Sequence, residues 1–323
     1  MEWDANMESL TKTKRSNAII KEMVQKFFPS DVMTNIRELT EGYFNVAYEI
    51  ELNHDKSVIL KIAPDRNIRV MEYEENMMQS EVNAMQTISG HAGIKAPKVL
   101  GADFSCTVCN APYFFMEKLN GKSLNSVKDT FTEQQIHQFY KETGEIIRHV
   151  NDIVCPCFGY PVLKKFQGTS WFPVFQKMMQ SIAADAKRGN VDMKIDIDNL
   201  WKHLERDREI FEEVTTPRLV HWDGWDGNIF VDSGHVTGVI DWERNLWGDP
   251  LMEDGFRAFH DDNSAFFEGY GIDKLSETEY RRTLWYDIHL LSLGSLECEY
   301  RHYDTMDMYN WSTNLLQEQV SKL

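Results

Sequence analysis

The chain has 323 residues, 42% of them apolar and 26% charged, with nine Trp, a composition that folds without a partner and excludes a disordered protein. Its 34 basic residues face 51 acidic ones, and the net charge of −17 repels nucleic-acid backbones and anionic lipid surfaces, so neither is expected as a partner. No apolar run approaches the ~18 residues of a membrane helix, and Met1-Glu-Trp-Asp-Ala-Asn6 lacks the basic and apolar segments of a leader, so a cytoplasmic protein is expected. Five Cys is an odd number, against a disulfide framework. Cys106-x-x-Cys109 and Cys155-x-Cys157 would make a four-thiolate zinc site only with a second pair spaced more closely than zinc knuckles use, so free thiols are expected.

Residues 5–28 carry Ile19, Ile20, Met23, Val24 and Phe27 at helical spacing before Pro29, which predicts a leading amphipathic helix. Residues 36–39, 46–52 and 58–62 read as three strands of an antiparallel meander. From Glu72 to Ile88 the positions of Met77, Met78, Val82, Met85 and Ile88 predict one helix ended by Ser89-Gly90. Val99-Leu100 and residues 112–119 add two strands. The result is a small five-stranded antiparallel lobe with one inserted helix, over 1–119. Beyond Asn120-Gly121, residues 132–150, 171–188 and 196–213 are helical by period, 276–320 hold at least two more helices, and a hairpin at 229–240 is the one strand-like segment. This second, mainly helical lobe covers 120–323, and the whole reads as a bilobal α+β chain, monomer or homodimer.

The chemistry concentrates in His221-Trp-Asp223-Gly-Trp-Asp226-Gly-Asn228. Asp223 and Asn228 stand five apart (228 − 223 = 5), the separation by which protein kinases set a carboxylate against the attacking hydroxyl and an amide oxygen against Mg²⁺. The hairpin turning at Ser233-Gly234 returns Asp241 to the side of Asn228, where two hard oxygen donors can share Mg²⁺. With the base role filled, His221 is expected to hydrogen-bond backbone near Asp241. Lys61, in Val58-Ile-Leu-Lys-Ile62, can reach nucleotide phosphates. Glu81, twenty residues on (81 − 61 = 20), lies nearer the apolar stripe of its helix than Glu74 or Glu75 and is the preferred partner.

In the loop Thr40–Asn45, Gly42 and Asn45 tolerate positive φ and can turn N–H groups toward phosphates. Backbone around Glu117 and Leu119 can pair with a purine edge. Asp226 fits either a substrate contact or a solvated turn, and Glu243, Glu253, Asp254, Asp261 and Asp262 extend an acidic surround suited to a cationic acceptor.

Together, His221-x-Asp223 with Asn228, Val236-Thr-Gly-Val-Ile-Asp241-Trp and Gly248-Asp249-Pro250 resemble the aminoglycoside phosphotransferase and choline kinase-like family, small-molecule kinases with a protein-kinase-like fold. Weaker support comes from Gly42-Tyr-Phe-Asn45-Val-Ala-Tyr48, Ala96-Pro-Lys-Val-Leu100, Phe114-Phe-Met-Glu-Lys-Leu119, and His149 through Tyr160; the resemblance runs from about Ile36 to Phe256. It implies catalysis by Asp223, Mg²⁺ on Asn228 and Asp241, and a bracing role for Asp249. Gly224-Trp225-Asp226 departs from the family's usual Leu followed by Pro or His.

The implied reaction moves the γ-phosphoryl group of Mg-ATP, or GTP, to a small-molecule hydroxyl. An aminoglycoside or other cationic antibiotic is one class of acceptor; a choline-like, sugar or amino-acid-derived alcohol is the alternative. A protein kinase fits less well, because Gly248-Asp249-Pro250 follows Asp241 with no room for an activation loop. A pseudokinase fits less well because every catalytic part is present.

Overall fold

The computed structural model describes residues 9–323. Strands β1 (Met33–Leu39), β2 (Val46–Leu52), β3 (Lys56–Ile62), β4 (Val99–Asp103) and β5 (Tyr113–Glu117) form one antiparallel sheet in the order β1-β2-β3-β5-β4. Between β2 and β3 the chain reverses through His54 and Asp55, both at positive φ, a turn whose hand matches the twist of the strands it joins.

Alternation along β5 divides its side chains between the two faces of the sheet. Tyr113 and Phe115 pack with Ile20, Met23 and Val24 of α1 (Asn17–Phe27), while Phe114 and Met116 pack with Met78, Val82 and Met85 of α2 (Met77–Ile88). One helix covers each face. The leading helix is shorter than expected, because Ser16 caps it at Ile19; the part of that expectation on residues 5–8 lies outside the described residues.

The expected helix over 72–88 is broken. Residues Glu72–Glu74 form a 3₁₀ turn, Asn76 takes a left-handed conformation, and α2 begins only at Met77. Two anchors explain the break. Met71, Tyr73 and Met77 are buried in the large core of the second lobe, and the Glu72 N–H donates to Asp185 Oδ2 at 2.7 Å, so the chain must dock there before it can turn onto the sheet.

The rest of the chain contributes β6 (Lys122–Ser123), α3 (Leu124–Val127), α4 (Glu133–Asn151), α5 (Trp171–Gly189), α6 (Ile197–Arg206), α7 (Arg208–Glu212), β7 (Arg218–Val220), β8 (Ile229–Asp232), β9 (His235–Val239), β10 (Leu246–Gly248), α8 (Ser264–Tyr270), α9 (Glu277–Arg301) and α10 (Asp307–Ser321). The hairpin β8–β9 is not the one strand-like segment here: β6 pairs with β8, and β7 with β10. Strands of two or three residues are too short to show a period. The helix expected over 196–213 is interrupted at Asp207, whose carboxylate is drawn to Arg281 Nε (2.7 Å) and Trp285 Nε1 (3.0 Å) of α9.

A core around Trp171, Phe175, Phe211 and Tyr286 holds the helical part together. A second core crosses from Ile59 and Phe114 of the sheet, through α2, to Val231, Val239 and Trp242. This continuous apolar contact fixes the hairpin β8–β9 beneath β3.

Candidate active site

Hairpin geometry brings the first two residues of the site together. Ser233 and Gly234 both take positive φ, which gives a two-residue turn that pairs Asp232 with His235 and Ile229 with Val239. The ladder continues one step outward, with the Ile240 N–H donating to the Asn228 carbonyl at 2.9 Å, so Asn228 and Asp241 become neighbours. Asp241, two residues past the end of β9, takes a left-handed conformation and opens the 3₁₀ turn Trp242–Arg244. The buried Trp242 anchors that turn through its indole N–H, 3.0 Å from the Val239 carbonyl.

The loop 221–228 is held from beneath by a buried carboxylate. Glu253 accepts from the backbone N–H of His221 (2.9 Å) and of Trp222 (2.8 Å) and from Asn151 Nδ2 (2.8 Å). Trp222 sits at φ 49°, and its indole donates to the Arg244 carbonyl. His221 Nε2 lies 2.9 Å from the Ile240 carbonyl, with its ring edge-on to Trp242. Asn228 turns its amide NH₂ to the Asp223 carbonyl at 2.8 Å and approaches the Asp223 carboxylate at 3.4 Å.

Strand alternation sets Lys61 on the α2 face of the sheet, with Ile59, while Leu60 and Ile62 face α1. Its ammonium lies 2.7 and 2.8 Å from the two Glu81 oxygens, 2.7 Å from Asp241 Oδ1 and 3.9 Å from Glu243. Glu74 pairs instead with Arg301 at 2.9 Å and Glu75 with Lys165 at 3.2 Å. Glu81, Asp241 and Glu243 offer oxygens all within 4.8 Å of one another, the one such group of three or more metal-ligand side chains among the described residues.

The charges respond to burial and to each other. Burial by itself would depress Lys61, but Asp241, Glu81 and Glu243 together hold it above its ordinary value. Burial pushes Glu81 up to about 7 against the pull of Lys61. Asp241 resists burial because Lys61 is so close, and it stays below the usual carboxylate range. Glu243 is driven well up by burial and by Asp241. Asp223 is raised by burial, an effect that Arg244 only partly offsets.

Other expected residues are placed as follows. Gly42 and Asn45, which tolerate positive φ, do not take it here; the Asn45 side chain reaches across to donate to Glu243, which fixes the end of the loop without a left-handed residue. The Glu117 N–H is already bonded to the Lys98 carbonyl at 2.9 Å. Leu119 lies against Gly238, where a Cβ would come within 2.7 Å of it. Asp226 accepts from Lys128 Nζ at 2.6 Å and from the Tyr140 hydroxyl at 3.0 Å, which ties the loop to α4 and its approach.

Asp249 accepts from Arg282 (2.9 Å), Tyr286 (2.7 Å) and the Leu251 N–H (3.2 Å), joining its turn to α9. Asp261 is exposed, and Asp254 borders Gly224 of the loop. All five cysteines are free. A cleft of about 340 Å³ between Lys95, Glu142, His149 and His235 contains none of these residues.

Sequence reasoning missed Arg244 and Asn151 altogether and placed Glu253 only in a general acidic surround. Glu253 follows Pro250 by three residues, but nothing local shows that its carboxylate turns inward.

A model of the phosphotransferase enzyme family matches residues 35–286. No curated protein sequence matches the chain. Among solved structures, a protein from Haemophilus somnus 129PT, provisionally assigned as a fructosamine-3-kinase, is 18% identical, with 93% of this chain and 96% of that one covered and a TM-score of 0.68. The aminoglycoside phosphotransferase APH(4)-Ia, a thermostable mutant with ADP and hygromycin B, is 15% identical, with coverage of 94% and 98% and a TM-score of 0.65. APH(2")-IIa with streptomycin and ATP is also 15% identical, with coverage of 95% and 97% and a TM-score of 0.63. These likenesses show the bilobal kinase-like fold. With more than three quarters of its length matched by the family model, the chain belongs to the phosphotransferase enzyme family.

Proposed function

We propose that the protein transfers the γ-phosphoryl group of a nucleoside triphosphate, ATP or GTP, to a hydroxyl of an amine-bearing small molecule. The observation that carries this reading is Lys61, held by Glu81 and Asp241 at 2.7–2.8 Å beside the Asp223–Asn228 contact. A cation, hard oxygen donors and a carboxylate base lie close together.

In this reading the acceptor oxygen attacks the γ-phosphorus, the bond to the β–γ bridging oxygen breaks, and the hydroxyl proton passes to the Asp223 carboxylate. The nucleoside diphosphate leaves. Lys61 faces the phosphates, Glu81 fixes it, and backbone near Glu117 and Leu119 borders the purine. Asn45 ties the covering loop that includes Gly42 to Glu243.

The donor set fits Mg²⁺. The Asn228 amide, oriented by its NH₂ on Asp223, presents its oxygen for ligation beside Asp241, and three carboxylates share a single ammonium. When bound, Mg²⁺ supplies positive charge against the phosphates. His221 and Asp249 brace the loop and its turn, and Asp226 tethers the loop to α4.

The acceptor class follows from charge. Asp254 borders the loop and Asp261 is exposed on the segment after Phe256, in a chain of net charge −17, which favours amines. Streptomycin, hygromycin B and fructosamine, named for the similar structures, are amine-bearing polyols or their kin. The test is nucleoside diphosphate release with aminoglycosides, glycated amines, amino alcohols and neutral sugars. An amine-bearing acceptor should stimulate release, and Asp223→Ala should lower turnover ~10²–10⁴-fold. Turnover unchanged in Asp223→Ala, or stimulation by neutral sugars alone, would overturn the reading.

A further inference from the structure

Resting on the reading of Asp223 as the base, we infer that Glu297 of α9 is a positioning residue that holds the Arg244 guanidinium at a set distance from Asp223. Arg244 lies between two carboxylates. It donates to Glu297 at 2.6 Å, while its other terminal nitrogen stops 3.9 Å from Asp223 Oδ1, beyond hydrogen-bond reach. Its backbone carbonyl is fixed by the Trp222 indole, and its guanidinium lies 5.7 Å from the centre of that ring. With the backbone anchored, the pull of the two carboxylates, against the Trp222 ring and the repulsion of Arg301, decides where the head of the side chain rests.

Glu297 is itself held. Its second oxygen accepts from Arg301 (3.1 Å) and the Tyr303 hydroxyl (3.3 Å), and Arg301 continues to Glu74 at 2.9 Å. The side chains of Arg244, Glu297, Arg301 and Glu74 are 12%, 5%, 2% and 1% exposed, so the chain of charges lies in a low-dielectric setting where a partner cannot be exchanged for water.

The arrangement has a chemical purpose. Asp223 must keep an oxygen open for the acceptor hydroxyl, yet its negative charge needs a nearby cation. Arg244 drawn onto Asp223 would occupy that oxygen, and its planar fork suits a carboxylate well. Glu297 prevents this by binding Arg244 more closely. Removing its charge would also leave Arg244 facing Arg301 without a carboxylate between them, and the repulsion drives Arg244 toward Asp223. Glu297 and Arg301 lie beyond residue 286, outside the stretch matched by the family model.

The test is steady-state kinetics of Glu297→Gln, Glu297→Asp and the double variant Arg244→Gln/Glu297→Gln, in the full chain, with the acceptor found by the release screen. Glu297→Gln should lower kcat roughly ten- to a hundredfold with both KM values nearly unchanged, the signature of a displaced reacting group. Glu297→Asp should recover part of the loss, because the charge is kept. The double variant should also exceed Glu297→Gln, because the competing guanidinium is gone; as a neutral pair it also keeps the test open if the single variant does not fold. A kcat at the parent level in Glu297→Gln, or a folded double variant with no more activity than Glu297→Gln (or, where that variant does not fold, none at all), would overturn the inference. Asp223→Ala separates the two levels: if it lowers turnover by the ~10²–10⁴-fold expected of a lost base while Glu297→Gln does nothing, only the role of Glu297 falls, and if it changes nothing the base reading falls first.

Discussion

Replacing Glu253 by Ala should damage both stability and turnover, although Glu253 reaches the site only through backbone. The substitution strands the His221 and Trp222 N–H groups, which bond to it at 2.9 and 2.8 Å, while Asn151 keeps its second acceptor, the Leu219 carbonyl at 2.8 Å. Two buried donors without partners cost about 1–3 kcal/mol each. Part is returned, because burial pushes the Glu253 carboxyl above its usual range despite His221 and its three N–H bonds, so holding it ionised is itself costly. A net loss of about 2–4 kcal/mol is expected from urea denaturation. Trp222 at φ 49° is strained, and its N–H bond to Glu253 is one of the contacts that hold it there. Once released, it shifts Asp223, and a displacement of about 1 Å costs roughly a hundredfold in kcat. Glu253→Gln should fall between, since one of its two acceptor positions becomes a donor. A stability loss under about 1 kcal/mol together with near-parental kcat in Glu253→Ala would refute the reasoning.

Lys61→Met should raise the nucleotide KM by about tenfold or more and lower stability by roughly 3 kcal/mol, because Glu81, Asp241 and Glu243 lose their shared cation; nucleotide titration and denaturation check both. Burial lowers His289 from 6.5 to about 3, so the unfolded chain binds a proton that the folded one refuses between those values. Stability from this residue is present above about pH 6.5 and lost as pH falls, so between pH 7 and 5 the parent should lose about 2 kcal/mol more than His289→Gln in urea titrations. Gly121→Ala should cost about 2 kcal/mol or more, because the residue has φ 92° and a Cβ there would overlap the Val231 carbonyl. Gly234→Ala, with φ 84° but open space around it, should cost only about 1 kcal/mol in the same assay.

Much of the site was legible because its key spacings are local. Five residues from Asp223 to Asn228 and a two-residue turn at Ser233-Gly234 constrain geometry through backbone alone, and strand alternation sends Lys61 to the α2 face wherever the strand is buried. At Gly42 and Asn45 the sequence showed only tolerance of positive φ, and tolerance of a conformation does not select it; a distant partner, Glu243, fixed Asn45. Nor does the sequence show that Asp226 pairs with Lys128, 98 residues away and within 2.6 Å.

The sequence by itself determined the order of the longer elements, the acidic character and the spacing of the candidate residues Asp223, Asn228 and Asp241, since these depend on periodicity, turn chemistry and composition. Tertiary structure decided the break before α2, the short strands β6, β7 and β10, and the partners of every buried charge. Glu253 beneath the loop and Glu297 behind Arg244 look in the chain like ordinary surface acids. Only folding removes the water around them, and in that low-dielectric setting a carboxylate must bind whichever donors the packing has brought to it.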